Sequence, residues 1–369
     1  MNETFENNGS QPPSELLLWE EKLKSYISDI ENTGSVSASD FEEAKQLLTD
    51  FECWEMLSKL LKEEAKNADE KRKLELYQYA AKAWGIWAHE PEKSAEIICV
   101  ALDNLKNIDY ETLHFSLISK SIESENYQDE ATVLEKISEH SISKEILESC
   151  LERLAMIYDK KLHLDRMHFG VQQKLLALNP ENHKSLKYFK AKYHQSGDWE
   201  NVAEILETLI ESSTHVQERA RYAMELAVVL LFYLGDPDRC LKVIDKHVGE
   251  NLNGNKVKLA ALKESGRLDQ AVEILERMLE IDDSKAERPV ILYHYGQVLK
   301  SLKKYDLALE KFRLSYSEYP IVATLLEMTK TAILLKDVNT LLGVLEIIES
   351  SEFDELKSRA GKLYHRLRT

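Results

Sequence analysis

The stretch "QSGDWENVAEIL" (195–206) decides how the chain is read. Gly197 and Asp198 break a polar helix, and Trp199, Val202 and Leu206 follow at helical offsets. A turn followed at fixed spacing by an aromatic, a small apolar residue and a larger one is the mark of a helical hairpin. The question is whether it recurs.

It does. "ESGRLDQAVEIL" (264–275) aligns Gly266 with Gly197 and Ala271 with Val202, and "YLGDPDRCLKVI" (233–244) puts Gly235 and Cys240 in the same roles. "SLKKYDLALEKF" (301–312) supplies Ala308. Weaker copies place Leu57, Ser94, Glu130, His168 and Leu341 at the small position. The nine positions are separated by 31 to 38 residues, which is the length of two short helices and two turns. The alternate markers Leu57, Glu130, Val202, Ala271 and Leu341 lie 69 to 73 residues apart. The segment from Trp54 resembles the one from Trp199, with Pro91 matching Pro237, so the array reads as a repeated pair of hairpins. Pro91 and Pro237 suit a first helical turn, and Asp236 suits an N-cap.

Residues 289–322 carry a resemblance to the tetratricopeptide repeat (TPR) family: Leu292, Tyr295, Gly296 and Leu299, then Tyr305, Ala308, Phe312, Ser315 and Pro320. Glu130 and His168 depart from it, standing where the family carries a small residue. The resemblance implies an all-α α-solenoid, a right-handed superhelix of about nine helix-turn-helix repeats with capping helices. The expected organisation is a leader over 1–13, an N-terminal capping helix and linker over 14–37, the array over 38–350, and a C-terminal capping helix over 351–369. In the first cap Leu17, Leu18, Leu23, Ile27 and Ile30 are expected mostly on one side. The last has an apolar face through Phe353, Leu356, Ala360, Leu363 and Leu367, opposite Lys357, Arg359, Lys362, Arg366 and Arg368.

Composition agrees with this reading. Only 12 glycines and 7 prolines interrupt 369 residues, which favours helices with short connections. The net charge of −17 opposes binding to nucleic acid or anionic lipid. No apolar run reaches the roughly 20 residues of a membrane span, and the start lacks a signal-peptide pattern, so a cytoplasmic location is expected. Cys53, Cys99, Cys150 and Cys240 are widely spaced within expected helices and read as reduced, structural thiols.

No phosphate loop, nucleophile elbow or zinc-helix motif is present, so a non-enzymatic chain without cofactor is expected. His163 and His168, five apart around a turn, have poor ligand spacing, and no metal site is expected. Trp54, Trp84 and Trp199 read as core; Trp87 sits near a helix end.

The polar feature that stands out is "HKSLKYFKAKYHQSGDW" (183–199). With Leu186, Phe189 and Tyr193 turned to the neighbouring helix, Lys184, Lys187, Tyr188 and His194 share another face, and similar phasing brings Arg153 and Arg221 near it. The TPR resemblance implies that this face lines a peptide-binding groove. The expectation is a basic patch for a protein or peptide with an acidic segment or C-terminal carboxylate. The competing reading is a lysine face neutralised by glutamates. In "AMELAVVLLFYLG" (223–235), Val228, Leu231 and Phe232 are a second candidate, an apolar groove floor. The expected function is a scaffold or adaptor that binds a partner in the concave groove. An alternative is a regulator similar to bacterial TPR proteins that act on response regulators, and an enzyme on an all-α toroid is a third.

Overall fold

A computed structural model of the protein describes residues 13–106, 108–140, 142–281, 287–351, 353, 357–358, 360–362 and 365. Residues 1–12 of the expected leader, and much of the expected C-terminal helix, lie outside these.

Every described element is helical. After α1 (Pro13–Thr33) the helices pair as hairpins. The first is α2 (Phe41–Asp50) with α3 (Trp54–Asn67). The second is α4 (Glu70–Lys82), prolonged by a π-helical turn Ala83–Trp87, with α5 (Pro91–Asn104). In the third, α6 (Tyr110–Thr112), a π-helical Leu113–Ile118 and α7 (Ser119–Ser121) form one first helix, paired with α8 (Tyr127–Ser138). The fourth and fifth are α9 (Lys144–Lys160) with α10 (Asp165–Leu178), and α11 (His183–Ser196) with α12 (Trp199–Ser212). Then come α13 (Val216–Phe232) with α14 (Pro237–His247), and α15 (Leu252–Glu264) with α16 (Leu268–Glu280). The last two are α17 (Arg288–Ser301) with α18 (Tyr305–Glu318), and α19 (Val322–Leu335) with α20 (Val338–Ser350). The protein is thus an all-α, solenoid-type array of helix-turn-helix hairpins. It divides into two compact units, Met1–Ser185 and Leu186–Thr369, and the division falls within α11.

One backbone device sets the register. Each of the nine hairpins turns on a residue with positive φ: Glu52, His89, Glu125, His163, Gly197, Gly235, Gly266, Lys303 and Lys336. Each precedes its small position by five residues, from 52 and 57 through to 336 and 341. This holds for Glu130 and His168, so the two units with unusual residues at that position keep the common frame. It also explains the odd spacing of His163 and His168: one is the left-handed turn and the other the packing slot. Eight of the nine slot residues are buried, and Leu341 is half-buried.

Neighbouring helices nearly touch at two glycines. A Cβ on Gly296 would lie 2.6 Å from the Phe312 ring. Contact is tighter at the first π-helical turn, where a Cβ on Gly85 would lie 1.8 Å from the Ser121 carbonyl oxygen. Only glycine allows this approach. Caps follow the sequence: Pro91 and Pro237 open their helices, and Asp236 and Asp198 accept hydrogen bonds from the Arg239 and Asn201 amides.

Two details differ from expectation. Leu17 and Leu18 are exposed, because the contacts that fix α1 start with Trp19 and Lys22, whose ammonium meets Glu43 at 2.7 Å. Cys53 lies in the turn before α3, outside the helix. All four cysteines are free thiols, and burial raises the pKa to about 11 for Cys99, about 12 for Cys150 and about 11 for Cys240.

Candidate functional site

The first helices of the hairpins carry the side chains nominated from sequence. In unit 1, Lys184 is exposed and its ammonium lies 2.6 Å from Glu152. Arg153, on α9, reaches Glu130, donating from Nε to Oε1 at 2.7 Å and from Nη2 to Oε2 at 2.9 Å. His114 adds a contact to the same carboxylate at 3.3 Å. Burial alone would raise the pKa of Glu130, but the hydrogen bonds from His114 and Arg153 outweigh it and hold the carboxyl below the ordinary value. Arg153 therefore serves the packing of α9 on α8.

In unit 2, Lys187 lies 3.5 Å from Glu218 and over the Tyr222 ring, and Arg221 shares the same glutamate at 3.5 Å. Lys190 binds Glu225 at 2.7 Å. Tyr188 packs edge-on to Phe189, and His194 packs edge-on to Trp199 at 4.9 Å. Every cation proposed for the patch has a glutamate in its own unit. Of the apolar trio, Leu231 is in the core at 7% exposure, Val228 is half-buried and Phe232 is 65% exposed. They do not share one open floor.

A different cleft offers unneutralised charge. In unit 1, α4 and α7 line an opening of about 430 Å³ with Glu75, Gln78, Tyr79, Lys82, Ile86, Ser119 and Lys120. Among the described residues neither Lys82 nor Lys120 is in an ion pair, whereas Glu75 is taken up by Arg72 at 3.4 Å. The Lys82 ammonium rests 5.0 Å over the Trp87 ring, so it is positioned without a counter-ion. Both helices carry π-helical turns here, a feature that often marks functional positions.

The sequence held a signal for Lys82. Once Leu76, Tyr77, Ala80, Ala81 and Trp84 are assigned to the core, Gln78, Tyr79 and Lys82 remain as a stripe. Lys82 also has no acidic residue three or four positions away on its helix. Lys120 belongs to another hairpin, and only the close approach of Gly85 to Ser121 brings it near.

Among the described residues no group of three or more His, Cys, Asp or Glu side chains is placed to hold a metal ion, and no helix is long and apolar enough to cross a membrane.

No family model matches the chain, and no curated protein matches it. Several solved structures are similar to it. PilW, a widely conserved type IV pilus biogenesis factor, is 15% identical, with 57% of this chain and 97% of that chain covered at a TM-score of 0.36. Yeast Tom70 is 9% identical, with 96% and 93% covered at a TM-score of 0.34. The Naa15/Naa10 structure bound to HypK-THB is 13% identical, with 96% and 67% covered at a TM-score of 0.34.

Proposed function

We propose that the protein is a non-enzymatic interaction scaffold, and that it binds an acidic segment or C-terminal carboxylate of a partner protein on the first-helix face of unit 1. One observation carries this reading. In a chain of net charge −17, Lys82 and Lys120 stand together in an open cleft without a carboxylate partner. A carboxylate arriving there gains charge-assisted hydrogen bonds without displacing an existing ion pair. At Lys184, Lys187 or Arg221 it would have to compete with a resident glutamate. Tyr79 and Ile86 add apolar surface for the stem of an acidic side chain.

The test compares two double variants of equal charge change, Lys82→Glu with Lys120→Glu, and Lys184→Glu with Lys187→Glu. Binding of labelled octaglutamate to the full chain is followed by fluorescence anisotropy at physiological salt. The first variant is expected to lose at least about tenfold in affinity, the scale of one or two charge-assisted contacts. The second should change little. The reverse order would move the site to the lysine-rich helix, and equal losses would reduce both to long-range field effects.

A further inference from the structure

We propose that the stacked rings of Trp199 and Tyr233, in unit 2, form a docking ledge for a lysine or arginine side chain of a partner protein. In alternate hairpins the residue two places after the left-handed turn meets the residue two places before the next such turn. This contact is made three times. Trp54 stacks on Trp87 at 6.0 Å, Lys161 lies over the Tyr127 ring at 4.6 Å, and Trp199 stacks on Tyr233 at 3.7 Å with the planes 20° apart.

The three differ in what covers the ring. At the first, the Lys82 ammonium sits 5.0 Å over Trp87, and at the second Lys161 itself is the cation. At the third, no lysine or arginine lies over either ring among the described residues; the His194 ring meets Trp199 edge-on at 4.9 Å, and the exposed surface of the stack is that of Tyr233. The sequence also differs at the position that supplies the first cation. Lys82 stands seven residues before the turn residue His89, and the residue seven before Gly235 is Val228. The ledge is therefore the counterpart of two sites that hold an ammonium, without the side chain that would fill it. Tyr233 is 52% exposed, and its neighbour Phe232 is more so.

The chemistry fits a cation. Ring faces carry negative charge density, and the stack with Trp199 holds the Tyr233 ring with its outer face open to a cation. Asp198 precedes Trp199 directly and Asp236 follows Tyr233 by three residues. The net charge of −17 draws basic segments toward the protein.

Labelled octa-arginine, titrated into the full chain at physiological salt, tests the idea by fluorescence anisotropy. Tyr233→Leu removes one ring face, and Val228→Lys supplies the missing internal cation. Each is expected to weaken binding about 2- to 30-fold, the range for one cation–π contact. Gln128→Lys, on exposed surface of unit 1, adds the same charge as Val228→Lys and should have a much smaller effect. The proposal is overturned if both ledge variants bind like the natural chain, or if Gln128→Lys weakens binding as much as Val228→Lys. It is also overturned if decaproline binds more tightly than octa-arginine and loses affinity in Tyr233→Leu, since the ledge would then be an apolar dock. Tyr233 is a surface residue, so its variant stays informative even where Val228→Lys disturbs packing.

Discussion

The third and fourth hairpins of unit 1 and the seventh and eighth of unit 2 solve one packing problem in opposite ways. In unit 2 the slots after the turns hold Ala271 and Ala308, and Gly296 lets Phe312 close the gap. In unit 1 the same slots hold Glu130 and His168. Glu130 is neutralised by Arg153 and His114. The Gln172 amide nitrogen lies 2.8 Å from Nε2 of His168, whose other ring nitrogen is 3.9 Å from Asp159. The turn geometry is common to both regions. Register is therefore set by the backbone five residues earlier, and the slot is free to vary if its occupant is satisfied.

The largest expected effect comes from removing that satisfaction. Arg153→Met leaves the buried Glu130 carboxylate with His114 as its remaining partner, which costs about 3 kcal/mol, toward the low end for buried pairs because that contact persists and Arg153 keeps some exposure. Denaturant unfolding monitored in unit 1 reads the loss. Adding Glu130→Ala converts the slot to the unit 2 kind and should restore stability to about the natural level or above it. A double variant as weak as Arg153→Met alone would show that the ion pair is not what separates the two regions.

Gly296→Ala tests the other side. The added methyl would overlap the Phe312 ring, with an expected cost of about 2 kcal/mol. Phe312→Leu in the same chain should recover part of it, and thermal unfolding of the three proteins measures this.

The turns allow a smaller, signed comparison. Gly266 has φ +72° with open space around it, so Gly266→Ala reads backbone strain alone and should cost about 1 kcal/mol. His163→Gly, at the equivalent place in unit 1, should stabilise by up to about 1 kcal/mol. Same-direction shifts in melting temperature would refute the common turn.

The smallest effect is in acid. The Glu130 carboxyl is held below its ordinary value of 4.5 in the folded chain, so its stabilising contribution is present above that pH. The contribution is lost as pH falls through the lowered value. Glu130→Gln should flatten the acid limb of the unit 1 stability curve, and an unchanged limb would place the acid sensitivity elsewhere, for example at Glu327, whose carboxyl is also held low.

The hairpin period, the caps at Asp198 and Asp236 and the slots from Leu57 to Ala308 were legible in the sequence, because each rests on local chemistry at fixed spacing. The ion-pair partners of Lys184 and Lys187 were not, since Glu152 and Glu218 are about thirty residues away. The π-helical turns escaped too. Gly85, within the first of them, meets the Ser121 carbonyl just beyond the second, a tertiary contact that no helical periodicity encodes. Lys82 and Lys120 line one cleft beside that same contact, so the candidate cleft was the least visible part. Trp87, ambiguous in sequence, proved to be the stacking partner of Trp54.

Glu130 and Arg153 also bear on how a repetitive chain finds its order. Neighbouring hairpins of similar length can dock one place out of step at little cost in apolar contact. Arg153 shifted back by one hairpin would face the slot of Ser94, and shifted forward by one that of His168. Neither offers a carboxylate, and Glu130 would be left buried without its guanidinium. The pair works as an address written once in an otherwise repeating text.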